Sequence, residues 1–243
     1  MASTQQTHSR WLGLTALRAA VVITAAGSAA VCALAVLFAK ILDNVLDGDG
    51  VTVWDRPVSS WLAAHREPGL TSVLRALTEV GNPPVLAAVM AAVAMVTAAR
   101  TRTLLPITLG AAAYGGYLLM VVTVKLAVGR PRPPLPERVV AIDGSSFPSG
   151  HAAGIAVVAL VSAWMVTLAS GWQRWIGVTA WATAVPLVVA VGFSRVYLGV
   201  HYPSDIVAGW ALGAAWGGVL ILAGSTVTPL WRGHPLGRRR CRP

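Results

Sequence analysis

Three short stretches of this 243-residue chain carry side chains that could do chemistry: KLAVGRPRP at 125–133, SSFPSGHAAG at 145–154 and SRVYLGVHYPSD at 194–205. Each has a plain structural explanation. Pro148, Ser149 and Gly150 make a turn, and His151 is then a polar residue at a membrane interface. Lys125, Arg130 and Arg132 can be interfacial cations with snorkelling stems. Arg195, at a helix end, suits the helix dipole. His201 and Asp205 are four apart, so on a helix they share a face and can pair.

The sum is harder to explain that way. Three or four cations, two histidines and a carboxylate gathered at a membrane boundary are costly and usually functional. A helix opening after Ser149 presents unpaired N–H groups and about half a positive charge, a ready seat for phosphate. A histidine with a carboxylate behind it keeps its far ring nitrogen protonated and its near nitrogen free to attack. A second histidine can protonate a leaving oxygen. Together these describe phosphoryl transfer through a covalent phosphohistidine. A two-metal centre needs several carboxylates, and Asp205 alone belongs to this group.

The elements that must position these residues are membrane spans. The chain is 56% hydrophobic and 12% charged, with a mean hydropathy of +0.67, whereas soluble domains carry roughly 25% charged residues. A spanning helix needs about 20 apolar residues. Six segments meet or approach this: 19–39, 83–99, 104–124, 152–170, 175–193 and 206–224. The expected fold is all-α, a six-helix membrane bundle over 19–224, with residues 1–18 and a basic tail at 225–243 in the cytoplasm. The first segment exceeds the roughly 7–15 residues of a signal-peptide core, and the Ala33-x-Ala35 pattern lies inside it, so a span is the favoured reading.

With the N-terminus inside, Arg10, Arg18, Arg100, Arg102, Arg174, Arg232, Arg238, Arg239, Arg240 and Arg242 are cytoplasmic, with no acid among them, and all nine acids fall outside. The net charge of +10 is then wholly cytoplasmic, the positive-inside bias. The GRRRCRP tail reads as an anchor to anionic headgroups rather than a nucleic-acid patch. Cys32 and Cys241 are too far apart in depth to pair. Between spans one and two, Val58, Trp61, Leu62 and His65, then Leu70, Val73, Leu74 and Leu77, recur at helical spacing. They predict two short interfacial helices capped by Asp55 and Thr71. Trp54, Trp61, Trp172, Trp175 and Trp231 are placed as an aromatic belt.

In this alternating topology spans three and five exit where spans four and six enter, so the three stretches share one layer. Their order and spacing resemble the type 2 phosphatidic acid phosphatase superfamily, which also holds vanadium haloperoxidases and glucose-6-phosphatase-like enzymes. Lys125, six residues, Arg132 and Pro133 fit its first motif. Pro148-Ser149-Gly150-His151 fits the second, and Ser194-Arg195, five residues, His201, three residues and Asp205 fit the third. The resemblance covers about residues 75–224.

It implies His201 as nucleophile, Asp205 as its orienting partner and His151 as acid. Lys125, Arg132, Arg195, the Ser149 hydroxyl and the Gly150 N–H would hold the phosphate, without metal or other cofactor. Arg130 lies outside the pattern and is expected to be an accessory cation. The expected substrate is a lipid phosphate or polyprenyl diphosphate met on the extracytoplasmic face of the cell membrane. A lipid phosphotransferase, a haloperoxidase and a non-catalytic lipid-phosphate binder or transporter are the rival readings.

Overall fold

A computed structural model of the chain describes residues 2–134, 138–140, 142–171 and 173–232. Among these, every regular element is helical. The α-helices are α1 (Ala2–Asp47), α2 (Asp55–Ala64), α3 (Pro68–Thr78), α4 (Pro83–Thr101), α5 (Leu105–Val128), α6 (Gly150–Ser170), α7 (Arg174–Tyr197) and α8 (Pro203–Arg232). Short 3-10 turns precede α2 (Gly50–Trp54) and α4 (Glu79–Gly81). Six helices, α1 and α4–α8, are long and apolar enough to cross a membrane. The expected cysteine and tryptophan at 241 and 172 lie outside the described residues, as does the Arg238–Arg242 cluster.

Several helices outrun their apolar segments, for physical reasons. In α1 the stripe Phe38, Ile41, Leu42 and Val45 continues past Lys40 and Asp43, packing on Phe147 and Ala208. Charged residues interrupt the hydropathy without interrupting the 3.6-residue period. α5 runs on to Gly129, whose φ of 63° ends it in the left-handed conformation that glycine adopts at no steric cost. α7 continues to Tyr197 and so carries Ser194 and Arg195 on helix.

α2 and α3 form where expected, but their caps and one face differ. The capping positions are Trp54 and Glu67, and neither caps through its side chain. Asp55 instead turns inward with Ser59, both buried. Trp61, the centre of the expected apolar stripe, is 60% exposed and stacks on His65. In α3 the expected stripe divides: Leu74 is buried, and with Leu77 it packs against Tyr197 and Leu198 at the end of α7, whereas Leu70 and Val73 are exposed. Trp54 and Trp175 are also exposed, as interface anchors should be.

α6 is the centre of the bundle, packed against α4, α5, α7 and α8. Every residue from Ala152 to Val158 is buried, so the helix has no outer face there. Its closest neighbour is α8, along a seam of Gly209, Gly213 and Gly217, spaced by four. A Cβ at Gly209 would lie 2.8 Å from the Ser149 carbonyl, and one at Gly213 would collide with that of Ala153. Small residues at this spacing let two membrane helices approach backbone to backbone. The outcome is functional placement: the first turns of α6 and α8 are brought side by side.

Gly213→Ala is therefore expected to destabilise the protein by about 1–3 kcal/mol, because the obstacle is backbone and cannot rotate away. Gly217→Ala, whose added methyl would meet nothing closer than 3.6 Å, should be tolerated. Thermal unfolding of both variants in detergent checks the contrast.

Candidate active site

The three stretches meet at the end of the bundle where α5 and α7 finish and α6 and α8 begin. Lys125 sits in the last turn of α5, its Nζ 2.5 Å from the Ser145 carbonyl and 3.4 Å from that of Ser146. Arg132 lies in the segment between α5 and α6. Its Nε donates to the Gly144 carbonyl (3.1 Å) and its Nη1 to the Val200 carbonyl (2.8 Å). Arg195, 5% exposed in the last turn of α7, donates through Nη1 to Thr78 Oγ1 at 2.9 Å. Its buried Nε has no partner among the described residues. None of these three cations is in an ion pair there: carbonyls, a hydroxyl and an imidazole hold them, and no carboxylate neutralises them.

Ser149 caps α6, its Oγ accepting from the Ala152 N–H at 3.3 Å. As an acceptor it still has its hydroxyl proton to give. Its own N–H donates to the backbone carbonyl of Asp205 at 3.0 Å, which ties the start of α6 to the start of α8. The N–H groups of Gly150 and His151, in the first turn, precede any intrahelical acceptor.

His201 lies just ahead of α8 rather than on it, yet still reaches the carboxylate four residues on. Its Nδ1 is 3.4 Å from Asp205 Oδ2, and its Nε2 is 3.3 Å from Arg132 Nη1. A guanidinium can only donate and a carboxylate can only accept. His201 is therefore protonated at Nδ1 and carries its lone pair at Nε2. Burial, outweighing the bond to Asp205, pushes the His201 imidazole down to about 4 from its usual 6.5. Burial also lowers Arg132 from its ordinary value.

Two residues near His151 escape a reading based on the three motifs. Asn82 Oδ1 lies 2.8 Å from His151 Nε2, and Thr78 holds Arg195. Both belong to the end of α3 and the turn after it, upstream of every motif. Asn82 ahead of two prolines reads from sequence as an ordinary helix start.

Arg130 is not the accessory cation expected. It turns away from the other cations and bridges two buried carboxylates, Nη1 to Asp205 Oδ1 and Nη2 to Asp55 Oδ2, each at 2.6 Å. Nη1 also donates to Ser204 Oγ at 2.8 Å, and the guanidinium lies 4.5 Å from the centre of the Tyr202 ring. Asp55 in turn accepts from the Ser204 N–H and hydroxyl. Burial alone would lower the Arg130 guanidinium, but the carboxylates of Asp205 and Asp55 outweigh it and raise it. Arg130 thus holds Asp205 from behind, while the Tyr202 N–H donates to Asp205 Oδ2 at 2.9 Å.

The fold and the three converging motifs place the chain in a class of helical membrane proteins, and comparison with known proteins identifies the class. Residues 105–228 match the PAP2 superfamily. The chain belongs to that superfamily and is a multi-pass membrane protein. It is 31% identical over 156 residues to the decaprenylphosphoryl-5-phosphoribose phosphatase of Mycobacterium tuberculosis, covering 63% of this chain and 80% of that protein. A 69-residue stretch is 42% identical to an undecaprenyl-diphosphatase of Sulfolobus acidocaldarius, 28% of this chain and 29% of that relative's length. The fold is that of the crystal structure of a transmembrane PAP2-type phosphatidylglycerolphosphate phosphatase from Bacillus subtilis. The TM-score is 0.71 at 24% identity, over 87% of this chain and 98% of that one.

Replacing Arg130 leaves two buried carboxylates facing each other across an empty fork. Arg130→Leu is expected to cost about 3–5 kcal/mol of stability, the range for breaking a buried pair by removing one partner. Arg130→Lys should recover only part of it, because an ammonium cannot span two carboxylates in a fixed fork. Denaturant unfolding of both variants in detergent measures the difference.

Proposed function

We propose that this protein is a membrane phosphohydrolase that cleaves a lipid phosphate or polyprenyl diphosphate through a phosphohistidine at His201. The observation that carries the reading is the company His201 keeps. A buried imidazole with its lone pair at Nε2 stands beside Arg132, with Lys125 and Arg195 nearby, and among the described residues no carboxylate forms an ion pair with any of the three cations. A tetrahedral dianion would complete their charge.

In this reading the phosphate oxygens are held by Lys125, Arg132 and Arg195, by the Ser149 hydroxyl and by the Gly150 N–H. Donors fixed in a partly dry site stabilise transition-state charge without reorganising. His201 Nε2 attacks phosphorus while Asp205 holds the Nδ1 proton and supports the cation that forms. His151 gives a proton to the departing oxygen, then takes one from the water that releases phosphate. No step calls on a metal, since the cations supply the charge.

A lipid substrate is supported by the names of the relatives and by an apolar cleft of about 230 Å³ between α4, α6 and α7. Val80, Leu86, Val89, Ile155 and Leu187 are among its lining residues. Val80 adjoins Gly81, whose backbone lies against His151, so an acyl or prenyl chain could lie there with its phosphate at the cations. The charge asymmetry of the loops supports an extracytoplasmic site, with both termini inside and the catalytic unit spanning about 19–224.

A panel of phospholipid, lysophospholipid and polyprenyl phosphates beside a soluble sugar phosphate, assayed with purified protein in detergent, tests the reading. His201→Ala is expected to abolish phosphate release while the protein still folds, and the wild type should remain active with a chelator present. Retained turnover in His201→Ala removes it as nucleophile.

The pH dependence follows from the same residue. Attack needs neutral His201, and the free enzyme holds that group near 4. The acid limb of kcat/KM, which reports the free enzyme, should therefore rise through about pH 4. A limb centred on the ordinary histidine value of about 6.5 would contradict the assignment.

A further inference from the structure

Asn82 stands where a helix cap belongs and does not cap. It precedes α4 with φ −67° and ψ 139°, and its side chain makes no bond to that helix, although asparagine is among the best N-caps. Pro83 and Pro84 follow at the first two helical positions, so one of the two N–H groups a cap would serve, that of the second position, does not exist. The amide is engaged elsewhere. Its Nδ2 donates to Glu79 Oε2, and its Oδ1 accepts from His151 Nε2 at 2.8 Å. Since the carboxylate can only accept, the amide nitrogen must face Glu79 and the oxygen must face the imidazole. Gly81 makes the approach possible: a Cβ there would lie 2.9 Å from His151 Cδ2 and 2.7 Å from Val191 Cγ1. The turn Glu79–Gly81 thus lies directly against the ring.

We propose that Asn82, held by Glu79, is a positioning residue that sets which nitrogen of His151 serves the leaving group. The inference rests on the reading of His151 as the general acid. With Nε2–H fixed on the Asn82 oxygen, Nδ1 is the nitrogen left to face the substrate. As His201 Nε2 bonds to phosphorus and the P–O bond breaks, the Nδ1 proton passes to the leaving oxygen. The ring ends neutral, with Nε2–H still on Asn82. In the second step Nδ1 accepts a proton from the attacking water as the P–N bond breaks.

The cations around His151 are Arg195 from α7, Lys125 from α5 and Arg132 from the segment between α5 and α6, with the neutral His201 beside them. The three cations oppose a positive ring, which makes the Asn82 acceptor important. Glu79 is exposed, so its own field is screened and its part is mainly to hold the amide.

The test uses the full-length protein in detergent and two phosphate esters, one of a long-chain alcohol and one of nitrophenol. Nitrophenolate departs without a proton, whereas an alkoxide does not. Asn82→Ala is expected to lower kcat/KM for the alkyl ester about 10–100-fold and for the nitrophenyl ester less than about threefold, because only the first depends on general acid catalysis. Glu79→Gln should show the same preference with a smaller loss, and it carries the test should Asn82→Ala fail to fold. Equal losses on both esters, or none on either, overturn the proposal. His201→Ala run alongside separates the two levels. Turnover of the nitrophenyl ester in that variant defeats the phosphohistidine reading itself. An inert His201→Ala with equal losses in Asn82→Ala defeats only the positioning role.

Discussion

One carboxylate ties this structure together. Asp205 is fully buried, and a buried charge is tolerable only when every oxygen is answered. Arg130 answers one oxygen; the Tyr202 N–H and His201 answer the other. Its backbone carbonyl meanwhile receives the N–H of Ser149. Through these bonds a single residue links the start of α8, the start of α6, the segment after α5 and, by way of Asp55, the outer helix α2. Arg130 cannot be dropped without stranding a charge, whereas the other oxygen keeps the Tyr202 N–H if His201 is lost. The same bonds fix the tautomer of His201, so the demand for satisfied charge and the proposed demand for a defined lone pair are met by one arrangement.

That hub depends on how closely two helices can come. The glycine seam between α6 and α8 lets their backbones touch, which sets the two first turns beside each other. Membrane helices gain little from apolar association with one another, since lipid is equally apolar, and rely on tight contact instead. Bulkier residues along the seam would separate Ser149 from Asp205 and carry the first turn of α6 away from His201. α2 and α3 complete the arrangement from outside. α3 packs its Leu74 face on Tyr197, while α2 delivers Asp55 to Arg130.

Much of this was legible in the sequence, and what was not has identifiable causes. The three motifs announced the site because their chemistry is dense and their spacing matches the span length. The six spans were legible from hydropathy, but their ends were not: a stripe such as Phe38, Ile41, Leu42 and Val45 continues through charged residues. Arg130 was misjudged because sequence shows a cation's neighbours along the chain, not the two carboxylates, each 75 residues away, that it faces. Asp55 was read as a cap for the same reason; its partners, Ser204 and Arg130, lie far along the chain. Asn82, Glu79 and Thr78 carried no signal at all, since each does in the fold something its local context does not require.

The contact between Arg132 and His201 has a consequence for the resting protein. An imidazole whose lone pair already accepts a guanidinium proton is a poor target for stray electrophiles and for acid alike. Only an anion able to draw the guanidinium toward itself would uncover the nitrogen. On the proposed function, reactivity would then be conditional, arriving with the charge of the incoming anion and withdrawn when that charge departs.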